Sequence, residues 1–216
     1  MIKRVVGLHF SLRGGTAKIT EQVVKEIAKI LSSESAIEVE GICYDMLNYG
    51  ASAPSFDEET IAVIGIPVNV GKIPLPVIRM LRNIDGNGAM TIAMVTYGGN
   101  SYGNALYELY SYMEENGFAV IGAGAFIAKH SKKEEKERPD FQDVIAIREF
   151  IKSASGKLLR LSGSSIEGLR IKPAPLTLAG RMPVHIISKV SPKAAATAEL
   201  TLERINIKRK EPEWFL

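Results

Sequence analysis

Three segments of this chain gather residue types that bind small anions and flat rings. The first is His9-Phe10-Ser11-Leu12-Arg13-Gly14-Gly15-Thr16-Ala17-Lys18. Paired glycines let backbone N–H groups curl around an anion. A helix beginning just after them adds partial positive charge, worth about 0.3–1 kcal/mol per exposed anionic contact and up to ~2 kcal/mol when partly buried. Ser11 and Thr16 add hydroxyls, and Arg13 adds a charge-assisted donor. The segment matches neither G-x-G-x-x-G nor G-x-x-x-x-G-K-[ST]. Taken alone, it is equally a helix-capping turn.

The second segment, Gly65-Ile66-Pro67-Val68-Asn69-Val70-Gly71-Lys72-Ile73-Pro74, has two prolines and two glycines in ten residues. That composition specifies a rigid loop and is also met in plain structural turns. The third is Val95-Thr96-Tyr97-Gly98-Gly99-Asn100-Ser101-Tyr102-Gly103-Asn104-Ala105. Gly98 and Gly99 admit a planar ligand close to the backbone. Tyr97 and Tyr102 offer ring faces, or serve as packing residues.

No side chain stands out as a catalytic acid, base or nucleophile. Cys43 is the only cysteine, so it forms no intramolecular disulfide and cannot by itself hold zinc or an iron–sulfur cluster. Its apolar-rich setting, Val39 to Tyr44, suits a small core residue. His9, His130 and His185 lie far apart with no metal-ligand spacing, and no metal site is expected.

The elements that must position these loops are legible from periodicity. Residues 3–10 form a β-branched run that precedes the first loop. Ile19, Val23, Ile27, Ile30 and Leu31 then recur at helix intervals over 16–32. A second strand fits Ile37 to Tyr44. Continuous apolar runs at 60–66, 90–96 and 119–128 suit strands buried on both faces. Helical patterns fall between them, at Val77, Ile78 and Leu81, and at Ala105, Leu106, Leu109, Tyr110 and Met113, with Gly117 placed to end the latter. A last helix fits 140–160. Strand–helix alternation predicts an open parallel sheet covered on both sides, and ligands then bind beyond the carboxyl ends of its strands, where all three loops lie. Residues 161–216 break the pattern, with Pro173, Pro175, Pro183, Pro192 and Pro212 and little helical periodicity. They are expected to form an extension to a domain spanning 1–160.

Bulk composition sets outer limits. The chain has 216 residues, 46% hydrophobic and 24% charged, which argues against a disordered or fibrous protein. A net charge of +3 is too small to argue for nucleic acid. The run Lys132 to Arg138 has mixed sign and reads as a solvated face. The N-terminus lacks the apolar stretch of a signal peptide, and no run of about 18 apolar residues offers a membrane span. A cytoplasmic protein with no membrane partner is the expectation.

The three loops, in this order and spacing, resemble the flavodoxin superfamily. In particular, the chain is similar to the flavodoxin-like domain of bacterial proteins in which a ferredoxin-type domain follows. The likeness runs over about residues 1–160 and more loosely to about 192. The strings VTYGGNSYGNALYEL, GAFIAKHS and RPDFQD carry it most specifically. It implies a three-layer α/β sandwich around a five-stranded parallel sheet, with FMN as cofactor. It places Ser11, Arg13, Gly14, Gly15 and Thr16 at the FMN phosphate. Pro67, Val68, Asn69 and Gly71 would lie on one side of the ring, and Thr96, Tyr97, Gly98, Gly99 and Tyr102 on the other. Arg13 stands where the family commonly has a hydroxyl, Gly15 where Asn is frequent, and Asn69 where an aromatic is common. The C-x-x-C-x-x-C clusters expected near Pro192 are absent. The sequence reads Lys193-Ala-Ala-Ala-Thr-Ala-Glu-Leu there.

The resemblance implies an electron-transferring flavoprotein; because the cysteine clusters are missing, a separate redox protein or NAD(P)H is expected to supply it. An NAD(P)H-dependent quinone or flavin reductase is the alternative enzyme. A degenerate module that acts by interaction without flavin is the alternative from another class. Leu200, Leu202, Ile205, Ile207, Trp214, Phe215 and Leu216 are too many apolar residues for a solvated tail. They are expected to cover a surface on this domain or on a second copy, giving a homodimer.

Overall fold

The computed structural model describes residues 1–35, 37–48, 54–98, 101–128, 138–160, 166–171 and 213–215. Five strands are β1 (Arg4–His9), β2 (Glu40–Asp45), β3 (Thr60–Pro67), β4 (Met90–Tyr97) and β5 (Ala119–Ile127). Four helices alternate with them: α1 (Gly15–Glu34), α2 (Leu75–Leu81), α3 (Ala105–Glu115) and α4 (Phe141–Leu159). The five strands pair in parallel in the order β2-β1-β3-β4-β5. This is the doubly wound order that the resemblance implies, and the winding reverses between β1 and β3.

The three central apolar runs are strands because both of their faces are covered. Ile61 and Val63 of β3 face one layer, while Ala62, Ile64 and Ile66 face the other. Helices α1 and α4 cover the first face. Helices α2 and α3 cover the second. Each fully buried Val, Leu or Ile contributes about 1.5–3 kcal/mol. Helix α1 lies close on the sheet because glycines stand beneath it. A Cβ at Gly65 would sit 1.9 Å from Thr20 Oγ1, and one at Gly7 would sit 2.6 Å from Cys43 Sγ and 2.8 Å from Val24 Cγ2. Thr20 Oγ1 donates to the Thr16 carbonyl at 2.9 Å while seated over Gly65. The first turn of α1 is thereby indexed against β3.

Two elements differ from the expectation. Strand β2 begins at Glu40 rather than Ile37, because its ladder with β1 opens at the Arg4–Glu40 pair. The sheet also gains a sixth strand, β6 (Glu213–Phe215), antiparallel to β5 with Trp214 opposite Gly124. Between α4 and β6, residues 166–169 form a 3-10 turn, and Ile171 N–H donates to the Val120 carbonyl at 2.9 Å. The outer edge of β5 is therefore bonded at Val120 and along residues 123–125. The expected apolar surface at Leu200, Leu202, Ile205 and Ile207 lies outside the described residues. Gly117 ends α3 as expected, with φ 80° and its N–H on the Glu114 carbonyl. Among the described residues, no helix is long and apolar enough to cross a membrane.

Candidate functional site

The loops after β1, β3 and β4 meet at the carboxyl edge of the sheet, at the β1/β3 reversal. Between them lies a cleft of about 490 Å³, within the range of small-molecule sites. Ser11, Arg13, Gly15 and Thr16 line it from the first loop, Pro67, Val68 and Asn69 from the second, and Thr96, Tyr97 and Gly98 from the third. These ten were singled out in the sequence. Phe10, Leu12, Pro74, Pro76 and Ala128 also line the cleft and were not. Their signal was available: apolar residues inside otherwise polar loops, and a residue at the carboxyl end of a buried strand.

The first loop is built to present donors. Gly14 takes φ 78°, a left-handed turn that leads directly into α1. Ser11 Oγ accepts from Ala17 N–H at 3.1 Å, satisfying one of the donors that a helix start leaves open. The same hydroxyl keeps its own proton to give. The N–H groups of Gly15 and Thr16 take no acceptor among the described residues. Arg13 is exposed and makes no ion pair among those residues.

Behind the loop, Thr16 Oγ1 and Thr96 Oγ1 lie 2.7 Å apart, with the two residues 5% and 4% exposed. Among the described residues few side chains so deeply buried are polar, and this pair faces a cleft. The bond joins the first loop to the third across 80 residues of sequence.

The second loop is a two-residue hairpin. Asn69 and Lys72 exchange backbone hydrogen bonds at 2.9 and 3.1 Å, and Val70 and Gly71 take φ 50° and 72°. Positive φ at both central positions defines a type I′ turn. Glu108 of α3 grips this loop, accepting from Lys72 Nζ at 2.7 Å and from Ile73 N–H at 3.0 Å. The Gly71 carbonyl accepts from Asn104 N–H at 2.8 Å, and a Cβ on Gly103 would fall 2.5 Å from that oxygen. The Thr96 carbonyl takes Val68 N–H at 2.8 Å. Loops two and three are thus one rigid wall.

Three described residues of the expected set, Gly14, Gly71 and Tyr102, stand elsewhere than on the cleft lining. Gly14 shapes the first loop from behind. Gly71 makes the backbone contact with Gly103 just described. Tyr102 is buried at 5% exposure, with its ring 5.7 Å from that of Tyr97 in an edge-on arrangement, so it supports Tyr97 and offers no open face. Gly99 lies outside the described residues, as do Asn100 and His130. His9 is buried on the α1 side of β1, with Nε2 3.6 Å from Glu21 Oε1. Cys43 is half-buried in β2. Burial, with a smaller contribution from Glu21, pushes its thiol up to about 11, which leaves it protonated and unreactive near neutral pH.

No protein-family model matches the sequence, and no curated protein matches it. Solved structures do match. An oxidoreductase from Corynebacterium diphtheriae superposes with a TM-score of 0.56 at 14% identity, over 76% of this chain and 99% of that one. A flavodoxin from the domain Archaea superposes with a TM-score of 0.50 at 14% identity, over 72% of this chain and 98% of that one. At such identity the likeness is one of fold. The chain has the flavodoxin-like α/β fold.

Proposed function

We propose that this flavodoxin-like chain binds FMN in the cleft at its β1/β3 reversal and acts as a redox protein. One observation carries the reading. A donor-rich helix start backed by a buried hydroxyl pair lines a cleft whose other walls include three prolines, Val68, Asn69, Tyr97 and Gly98. In flavodoxin itself, the standard example of ligand binding at a switch point, FMN sits at the β1/β3 position.

The residues fit the group. Ser11, Gly15 and Thr16 would hold the phosphate by hydrogen bonds from hydroxyl and backbone N–H, and Arg13 would add a charge. Gly14 sets the curl of the loop. Pro67, Val68, Asn69, Tyr97 and Gly98 would flank the ring, keeping water from its faces and holding its orientation. Gly99 would extend that wall. When bound, FMN supplies the electron or hydride chemistry. The chain's own contribution is to fix the cofactor and to choose which edge of the ring a partner reaches. Cys43 alone cannot hold an iron–sulfur cluster, and a separate redox protein or NAD(P)H is the proposed electron source.

The test is the spectrum of the purified full chain. The expected result is a yellow protein with oxidised-flavin bands, from which heat releases FMN in near-stoichiometric amount. A colourless protein that also fails to quench the fluorescence of added FMN would overturn the reading.

A further inference from the structure

The Thr16–Thr96 pair has a property that follows from counting protons. Two hydroxyls that bond to one another hold two hydrogens. One hydrogen lies between the oxygens. The other remains on whichever hydroxyl is the acceptor. Neither oxygen has another hydrogen-bond partner among the described residues, both residues are at least nine-tenths buried, and both line the cleft. The second proton therefore has to be used by what the cleft contains, and the ligand decides which hydroxyl gives it.

Thr16 is the second residue of α1, where the helix start favours negative charge. Thr96 is the penultimate residue of β4 and lies one hydroxyl further from that helix end. A fully ionised phosphate accepts and cannot donate. Placed at the helix start it takes the Thr16 proton, and the Thr16 oxygen is then free to accept from Thr96. In a low-dielectric site, such a chain strengthens each of its bonds. A neutral alcohol group bound nearer Thr96 would reverse the order, with Thr16 donating to Thr96 and Thr96 donating to the ligand.

We infer that Thr96 is a positioning residue for a ligand phosphate: its buried hydroxyl donates to Thr16 Oγ1 and commits the Thr16 proton to the anion. The inference rests on the proposed flavin reading and deepens it. It gives β4, an element outside the phosphate loop, a part in selecting the phosphorylated cofactor over the unphosphorylated one.

Fluorescence-quenching titrations of the full chain with FMN and with riboflavin test it. Thr96→Val, a near-isosteric loss of the hydroxyl, is expected to weaken FMN about ten-fold and to leave riboflavin within about two-fold. Thr96→Ser should restore the wild-type ratio of the two affinities. Thr16→Val combined with Thr96→Val should lose no more than Thr16→Val alone, since the two act as one unit. Thr96→Ala reads the same ratio should the valine variant not fold. Equal losses for FMN and riboflavin, or no loss for either, would overturn the assignment. If wild-type chain binds neither flavin, the flavin reading fails. If it binds both equally well, the flavin cleft stands and the phosphate assignment falls.

Discussion

At the scale of single residues, Val70 is the site's least comfortable position. A β-branched side chain at φ 50° costs about 1–2 kcal/mol relative to ordinary backbone, and with 94% exposure Val70 regains almost nothing by burial. Asparagine tolerates the left-handed region through local hydrogen bonding. Val70→Asn is therefore expected to stabilise the chain by about 1 kcal/mol, a rise in Tm of roughly 2–4 °C at this size, read by thermal unfolding. Val70 does not line the cleft, so FMN affinity should hold. An unchanged or lower Tm would mean that the hairpin relaxes around valine. Cys43 gives a second expectation at this scale. With its thiol raised to about 11, alkylation by iodoacetamide at neutral pH should be slow until the chain is unfolded.

At the scale of elements, α4 shows how a helix start is made. Asp140 accepts from the backbone N–H groups of Gln142 and Asp143, and Asp143 accepts in return from Asp140 N–H, a reciprocal capping box. Arg138 bonds both carboxylates. The Asp143 N–H bond holds the Asp140 carboxyl below its ordinary value, with further help from Arg138, against a smaller opposing effect of desolvation. A depressed carboxyl adds stability above its unfolded pKa and loses it as pH falls through the folded one. Asp143 works in the opposite sense, since burial pushes its carboxyl up. Asp140→Ala should cost about 1 kcal/mol at pH 7. The gap to wild type should close as pH falls below ~4. Urea unfolding at both pH values measures it, and a gap that stays constant would remove the cap from the account.

The same elements show what was legible in the sequence. β3, β4 and β5 announced themselves as unbroken apolar runs because parallel strands are buried twice over. α1 and α3 announced themselves by spacing. The three loops could be placed at one edge because alternation fixes which ends of the strands they leave. What stayed hidden depends on contacts between distant positions. Nothing in the local pattern says that Thr16 meets Thr96, that Glu108 reaches back to Lys72, or that Tyr102 turns inward against Tyr97. β6 was hidden for a related reason: three residues are too few for a period.

At the scale of the whole molecule, the two sheet edges are treated differently. β2 is a half-exposed edge, whereas β5 is buried throughout and is paired along residues 123–125 by β6. Removing residues 213–216 uncovers that ladder, and an open edge invites pairing with another chain. The shortened chain should unfold at lower temperature and associate as its concentration rises, as read by light scattering. A shortened chain with the same Tm and the same association state would show that β5 needs no cover. Helix α1 carries a different consequence. Thr20 seated over Gly65 acts as a key in a slot, so the first turn of α1 cannot slide along the sheet. The half of the cleft proposed to hold the phosphate is then finished before any ligand arrives, and capture has nothing to wait for at that end. In kinetic terms, the observed association rate for a phosphate-bearing ligand should climb in a straight line with ligand concentration, without levelling to a ceiling set by a slow rearrangement.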